Sequence, residues 1–295
     1  MYKRQAQGYV EGAKVFADLD GDGVRDSNES QDTTDSSGSY NLSADAGSWT
    51  LITSGGTFLD SQGNKVNALP MKAPAPSTSG ATANVTPLTS LVAANPGLKT
   101  KLDALGGDGW NADIASSSGV PGKLLRVAQT VEQAMKTLTT GDNAVLSSDA
   151  SKLKTINKLA DAFAKQEDIS SNEALTAATQ EGLINALNDS EVVTLGDLKK
   201  IKGALVDAAK GAVEGVAAAI SNTSDSVVES SVASSLETAL DNATSVVDTA
   251  VNLAGNPVYA TFCTNSTESS CSGAPSGATL TYAAVPKFGA VVFNQ

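Results

Sequence analysis

Apolar and polar positions change their rhythm twice along the chain. From residue 8 to about 70, short apolar-bearing runs (GYVEGAKVFAD, GSYNLSA, GSWTLITSG and GTFLD) alternate with clusters of Gly, Asp, Ser and Asn. Short runs between turn-forming residues predict the strands of a small antiparallel β-sandwich, with Tyr40, Leu42, Trp49, Leu51 and Phe58 as its core. The next stretch, LPMKAPAPSTSGATANVTP from Leu69 to Pro87, holds four of the nine prolines and predicts an extended connector over residues 71–86.

After the connector the period becomes helical. Thr86 followed by Pro87 is a helix-start signal, a capping hydroxyl and then a proline whose missing N–H is not needed there. The runs Leu124 to Leu138, Leu153 to Phe163 and Ala174 to Leu187 repeat apolar residues every three or four positions, with Ser148, Asp149 and Ser171 as caps. Two further runs do the same. One passes through Leu195, Leu198, Ile201, Leu205, Ala208, Ala212, Val216 and Ala219, the other through Val228, Val232, Leu236, Leu240, Val247, Val251 and Ala254. Such stripes, rich in alanine, predict a helical bundle over residues 87–255. Residues 256–295 return to strand-like runs (PVYATFCTN, ATLTYAAV and FGAVVFNQ). The expected fold is therefore α+β and multidomain: a sandwich over residues 6–70, a connector, a helical domain and a C-terminal β segment. Residues 1–5, MYKRQ, resemble a translated adaptor sequence and are set apart from the fold argument.

Composition narrows the chemistry. Among 295 residues, 20 Lys and Arg face 32 Asp and Glu, a net charge of -12. That balance argues against a nucleic-acid binder, which needs a basic face for phosphates. There is no histidine, which removes Ser-His-Asp and Cys-His catalysis and histidine-based zinc sites. Thirteen of the 20 basic residues fall between Lys99 and Lys210, and none lies in residues 211–286. The first group reads as a solvated helix face, and the second argues against a membrane-surface helix. No apolar run is long enough to span a bilayer. Cys263 and Cys271 enclose seven residues; a disulfide there would stabilise by about 2–3 kcal/mol, and the alternative is two free thiols.

One segment carries a defined chemistry. In DLDGDGVRDSNE, from Asp18 to Glu29, oxygen donors fall at positions one, three, five and nine (Asp18, Asp20, Asp22 and Asp26). Glycine stands at six (Gly23), a backbone carbonyl is offered at seven (Val24), and glutamate stands at twelve (Glu29). This is the ligand pattern of an EF-hand-type calcium loop. A hard cation takes six to eight oxygens, and alternate residues of a tightly curled loop turn theirs inward. Magnesium, which keeps its waters, fits so many carboxylates less well. The flanks read as strands rather than helices, so the ion is expected to staple a loop of the sandwich. A second Asp/Gly stretch, Asp103 to Asp113 with Gly106-Gly107-Asp108-Gly109, lacks the regular alternation and the glutamate, and reads as a plain loop between helices.

The opening from Gly12 to Glu29, followed by Thr33-Thr34-Asp35-Ser36-Ser37-Gly38-Ser39-Tyr40 and Ala46-Gly47-Ser48-Trp49-Thr50-Leu51, resembles the calcium-binding B-type repeats of Gram-positive surface adhesins and the carboxypeptidase regulatory-like (prealbumin-like) sandwich. Residues 8–16 together with Val85-Thr86-Pro87-Leu88-Thr89-Ser90-Leu91 also resemble a type of bacterial exported protein, often a lipoprotein, that continues into an Ala-rich helical region. Compared with the repeats, the stretch between Glu29 and Thr33 is short and implies one strand fewer. The resemblance implies calcium, a β-sandwich and an extracellular or cell-surface location. The resulting expectation is a non-enzymatic surface protein acting in adhesion or assembly, with other surface proteins or glycans as partners. The alternatives are a filament or surface-layer subunit assembling by strand addition through Ala290 to Phe293, and an accessory part of a secreted hydrolase.

Overall fold

The computed structural model describes residues 9–44, 48–59, 63–78, 80–115, 120–139, 146 and 148–189. Its architecture is mixed, with antiparallel strands first and helices after them. Lys14–Asp18 (β1), Gln31–Thr33 (β2), Thr50–Ser54 (β3) and Met71–Pro74 (β6) form one sheet in the order β2-β1-β3-β6, and Thr57–Leu59 (β4) pairs with Lys65–Asn67 (β5) in a separate hairpin. Strand β2 occupies the stretch that the resemblance leaves short of a strand.

Side chains alternate across a sheet, and here the two faces have different covers. Phe16 lies opposite Ile52, and Ile52 opposite Lys72. Phe16 and Ile52 join a single apolar cluster with Leu88, Leu91, Ile156 and other helical residues. On the other face Val15, Leu51 and Ala73 are buried under Tyr40, Leu42 and Trp49, which are themselves partly exposed. The expected sandwich would place a second sheet here. Among the described residues the other pairings are the β4–β5 hairpin and an isolated bridge between Glu11 and Thr57, and helices back the Phe16 face. Of the five core candidates, Leu51 and Phe58 are buried. Tyr40 and Leu42 lie in a stretch without strand structure, and the Tyr40 hydroxyl instead donates to the Ala83 carbonyl at 2.6 Å.

Residues 71–74, inside the expected connector, form β6 rather than an extended linker. Its edge is closed by a helix. Pro87–Ala94 (α1) begins at Thr86, whose hydroxyl accepts from the Thr89 N–H while the Thr89 hydroxyl accepts from the Thr86 N–H. Such reciprocal caps contribute about 1 kcal/mol. The hydroxyls of Thr89 and Ser90 also donate to the Lys72 carbonyl, and the Lys72 N–H donates to Ser90 Oγ. The strand edge thus receives hydrogen bonds from helix side chains instead of from another strand. This explains why two hydroxyl residues can be fully buried there.

The remaining helices are Leu98–Asp103 (α2), Gly122–Thr139 (α3), Asp149–Lys165 (α4) and Asn172–Asn188 (α5), with a 3-10 turn at Gly109–Asn111. Ser148 and Ser171 cap α4 and α5 as expected, and Asp149 is the first residue of α4. Gly182 of α5 lets that helix approach α4, since a Cβ there would meet the Leu159 Cα at 2.8 Å. No helix among the described residues is long and apolar enough to cross a membrane. The predicted helical runs beyond residue 189, the β tail and both cysteines lie outside the described residues.

Candidate metal centre

Strand β1 ends at Asp18, and the chain turns sharply through Asp20, Gly21, Asp22 and Gly23. Gly23 has φ of +78°, a left-handed conformation that L side chains adopt only with strain. The carboxylates in this turn accept from the backbone of the turn itself. Asp18 Oδ1 accepts from the Gly21 N–H at 2.8 Å and Oδ2 from the Gly23 N–H at 3.2 Å. Asp20 accepts from the Asp22 N–H at 3.2 Å and Asp22 from the Val24 N–H at 2.6 Å. Glu29 closes the loop, with one oxygen accepting from the Leu19 N–H at 2.7 Å and the other from the Asp26 N–H at 2.9 Å. Arg25 donates to the Glu29 carbonyl at 3.3 Å.

Three of the six expected ligands come together. Asp18, Asp20 and Asp22 each offer a carboxylate oxygen within 4.8 Å of the others. Oxygens bound to one calcium at 2.3–2.6 Å lie no more than about 5 Å apart, so this spacing suits a shared ion. Asp26 and Glu29 stand outside that group, and Val24 belongs to the set only through its carbonyl. Asp18 and Glu29 are buried, 3% and 4% exposed, whereas Asp20, Asp22 and Asp26 are exposed. A carboxylate has about four lone-pair positions. Asp18 and Glu29, each accepting two hydrogen bonds, therefore keep capacity for a cation.

Electrostatics favour one. Burial raises the Asp18 carboxyl above its ordinary value, the Glu29 and Asp20 charges raise it further, and the Gly21 and Gly23 amides pull it down. A divalent cation would offset the neighbouring negative charges that help to raise Asp18.

The sequence reading missed what stands behind the loop. Lys72 of β6 lies on the same sheet face as Asp18 and donates to Asn157 Oδ1 of α4. Burial pushes its amino group down to about 8, and the charges of Asp18 and Asp161 pull it back up. Helix α4 also meets the loop directly: a Cβ on Gly23 would lie 3.2 Å from Leu153 Cδ1, and Ser54 of β3 donates to Asp149 at 2.5 Å. Alternation of Lys72 between Met71 and Ala73 was the available signal, and the surrounding prolines obscured it. No family model, curated protein or solved structure matches this chain.

Proposed function

We propose that residues 18–29 bind calcium and that the protein is a non-enzymatic, exported surface protein of adhesive or assembly function. One observation carries the metal reading: the oxygens of Asp18, Asp20 and Asp22, spaced two residues apart in sequence, lie within 4.8 Å of one another in a turn that Gly23 makes possible. Asp18, Asp20 and Asp22 would hold the ion through side chains and Val24 through its carbonyl, with Asp26 and Glu29 completing the set.

The role follows from where the loop sits. It leaves the buried end of β1, returns into β2 through Glu29 and rests on α4 at Leu153. An ion there fixes the junction of strands and helices. The flanking strands set it apart from sensor loops, whose paired helices reorient on binding. Rigidity of this kind suits a protein outside the cell, where calcium is abundant enough for sites with Kd of about 0.1–1 mM.

Calorimetric titration of the full chain with calcium is the test. One site is expected, and Asp18→Ala and Glu29→Ala should each abolish it. Binding that persists in both variants would remove the metal assignment. The surface role is tested separately, by asking whether the cells that naturally make the protein display it to an antibody without lysis.

A further inference from the structure

The sheet face that carries Leu51 opens into a cleft of about 1430 Å³. Pockets for compact small molecules reach about 1,000 Å³, so this one has room for an extended ligand. Aromatic residues make up only 4% of the chain, yet Tyr9, Tyr40 and Trp49 all line this one cleft.

The tyrosines are held in place by their hydroxyls. Tyr40 donates to the Ala83 carbonyl at 2.6 Å. Tyr9 is 49% exposed, and an exposed tyrosine is ordinarily free to turn. Here its hydroxyl donates to Asp113 Oδ2 at 2.9 Å. Its other end packs on bare backbone: Gly38 has φ of +74°, and a Cβ there would lie 3.0 Å from the Tyr9 Cβ. The turn beneath is braced by Asp35, whose carboxylate accepts from the N–H groups of Ser37 and Ser39 at 2.8 and 3.0 Å. A large ring fixed before binding loses little entropy when a ligand covers it.

The polar lining limits what that ligand can be. Among the described residues, Asp113 is the one charged residue of the cleft, and the rest of its polar lining is hydroxyl and amide, such as Asn41 and Thr82. Polyanions and nucleotides need cationic partners, and none lines it. A peptide added as a strand needs a sheet edge, whereas this cleft lies over a sheet face. Asp113 Oδ1 accepts from the Ala115 N–H at 3.1 Å, so each of its oxygens keeps a lone pair for a further donor. Aromatic rings beside neutral hydroxyls, amides and one acceptor carboxylate match a molecule with apolar C–H faces and a rim of hydroxyls.

We infer that this cleft binds a neutral oligosaccharide, with Tyr9, Tyr40 and Trp49 covering sugar C–H faces and Asp113 accepting from sugar hydroxyls. This deepens the adhesive reading, on which it rests for its biological sense, and is independent of the metal, since no residue from Asp18 to Glu29 lines the cleft.

The test is binding of the full chain, in calcium-containing buffer, to immobilised neutral glucans, xylans, mannans and galactans, to uronic-acid glycans and to a proline-rich peptide. At least one neutral glycan should bind, and Tyr9→Ala and Trp49→Ala should each weaken it about tenfold or more. Tyr9→Phe, which keeps the ring and loses only its bond to Asp113, should weaken it less than Tyr9→Ala. Binding to no neutral glycan, or only to the acidic glycans or the peptide, overturns the proposal. So does a neutral glycan held equally well by Tyr9→Ala and Trp49→Ala. Should Trp49→Ala fail to fold, the half-exposed Tyr9 decides through its own variant, checked for an unchanged unfolding curve. Calcium binding is measured separately by calorimetry on the same chain, so loss of one kind of binding without the other shows which reading has failed.

Discussion

Two stretches of this chain are rich in Asp and Gly, and they behave differently. In the turn from Asp18 to Glu29, three carboxylates share a centre within 4.8 Å. In the turn from Asp103 to Asp113 two of the three acids find separate partners: Asp103 pairs with Lys99 at 2.8 Å, and Asp113 accepts from the Tyr9 hydroxyl at 2.9 Å and the Ala115 N–H at 3.1 Å. Composition is similar, so spacing and framing make the difference. Alternate acids leaving a strand end curl toward one point. Asp103 and Asp113, spread irregularly along the second stretch, are captured by separate donors.

The two turns also use glycine differently, and the largest effect tests this. Gly109 has φ of +56°, and a Cβ there would lie 2.9 Å from the Asp103 Cα and 2.0 Å from its Oδ1. Gly109→Ala combines backbone strain with a clash against main chain and is expected to destabilise by about 3 kcal/mol. In Gly23→Ala the clash is only with the flexible end of Leu153 at 3.2 Å, so about 1–2 kcal/mol is expected. Denaturant unfolding of both variants measures the contrast. A Gly23 variant more damaged than the Gly109 variant would reverse it.

Lys72 gives the next effect. Its amino group, held down to about 8 against an ordinary 10.5, binds its proton less well in the folded chain than in the unfolded one. Between those values the unfolded state holds more protons, so stability should rise as pH rises from about 8 to 10.5, and the penalty is full below that window. Asp18, raised from 3.8, acts in a separate acidic window, where stability falls as pH climbs through its folded value. Lys72→Met should therefore raise stability at neutral pH by on the order of 2 kcal/mol and flatten the alkaline rise. A rise that survives the substitution would place its cause elsewhere.

These cases show what a sequence makes legible. The cluster of Asp18, Asp20 and Asp22 was readable because its members are local: their convergence depends on the spacing of alternate residues in one turn. The caps at Thr86, Ser148 and Ser171 were readable for the same reason. Strand β6 was not, because the prolines at 70, 74 and 76 read as linker, whereas Pro74 ends a strand whose edge is served by Ser90 and Thr89. The cover of the Phe16 face by helices was equally hidden. A strand with one buried face looks alike under a sheet or under a helix. Lys72 and Arg126 owe their burial to elements distant in sequence, and apart from the alternation around Lys72, which prolines obscure, no local pattern marks either as unusual.

Calcium itself should produce a smaller effect. With Kd of about 0.1–1 mM, about 2 mM calcium adds roughly 0.6–1.8 kcal/mol to folding stability by mass action. The shift should appear in unfolding curves of the native chain and vanish in Asp18→Ala and Glu29→Ala. An equal shift in both variants would mean that the ion binds elsewhere.

The smallest effect is the sharpest control on the comparison. The Lys99–Asp103 pair is half exposed, with side chains 54% and 42% accessible and spaced four residues apart on one helix. Pairs of that kind contribute about 0.3–0.5 kcal/mol, so Asp103→Asn should cost little. If regular spacing at a strand end is what gathers carboxylates around an ion, the calcium-dependent gain in stability must be unchanged by Asp103→Asn and by Asp113→Asn. A loss of that gain in either variant would show that the second turn shares in the binding. The distinction between converging and dispersed acids would then fail, because carboxylates already committed to Lys99 and Tyr9 would have been released to serve a cation.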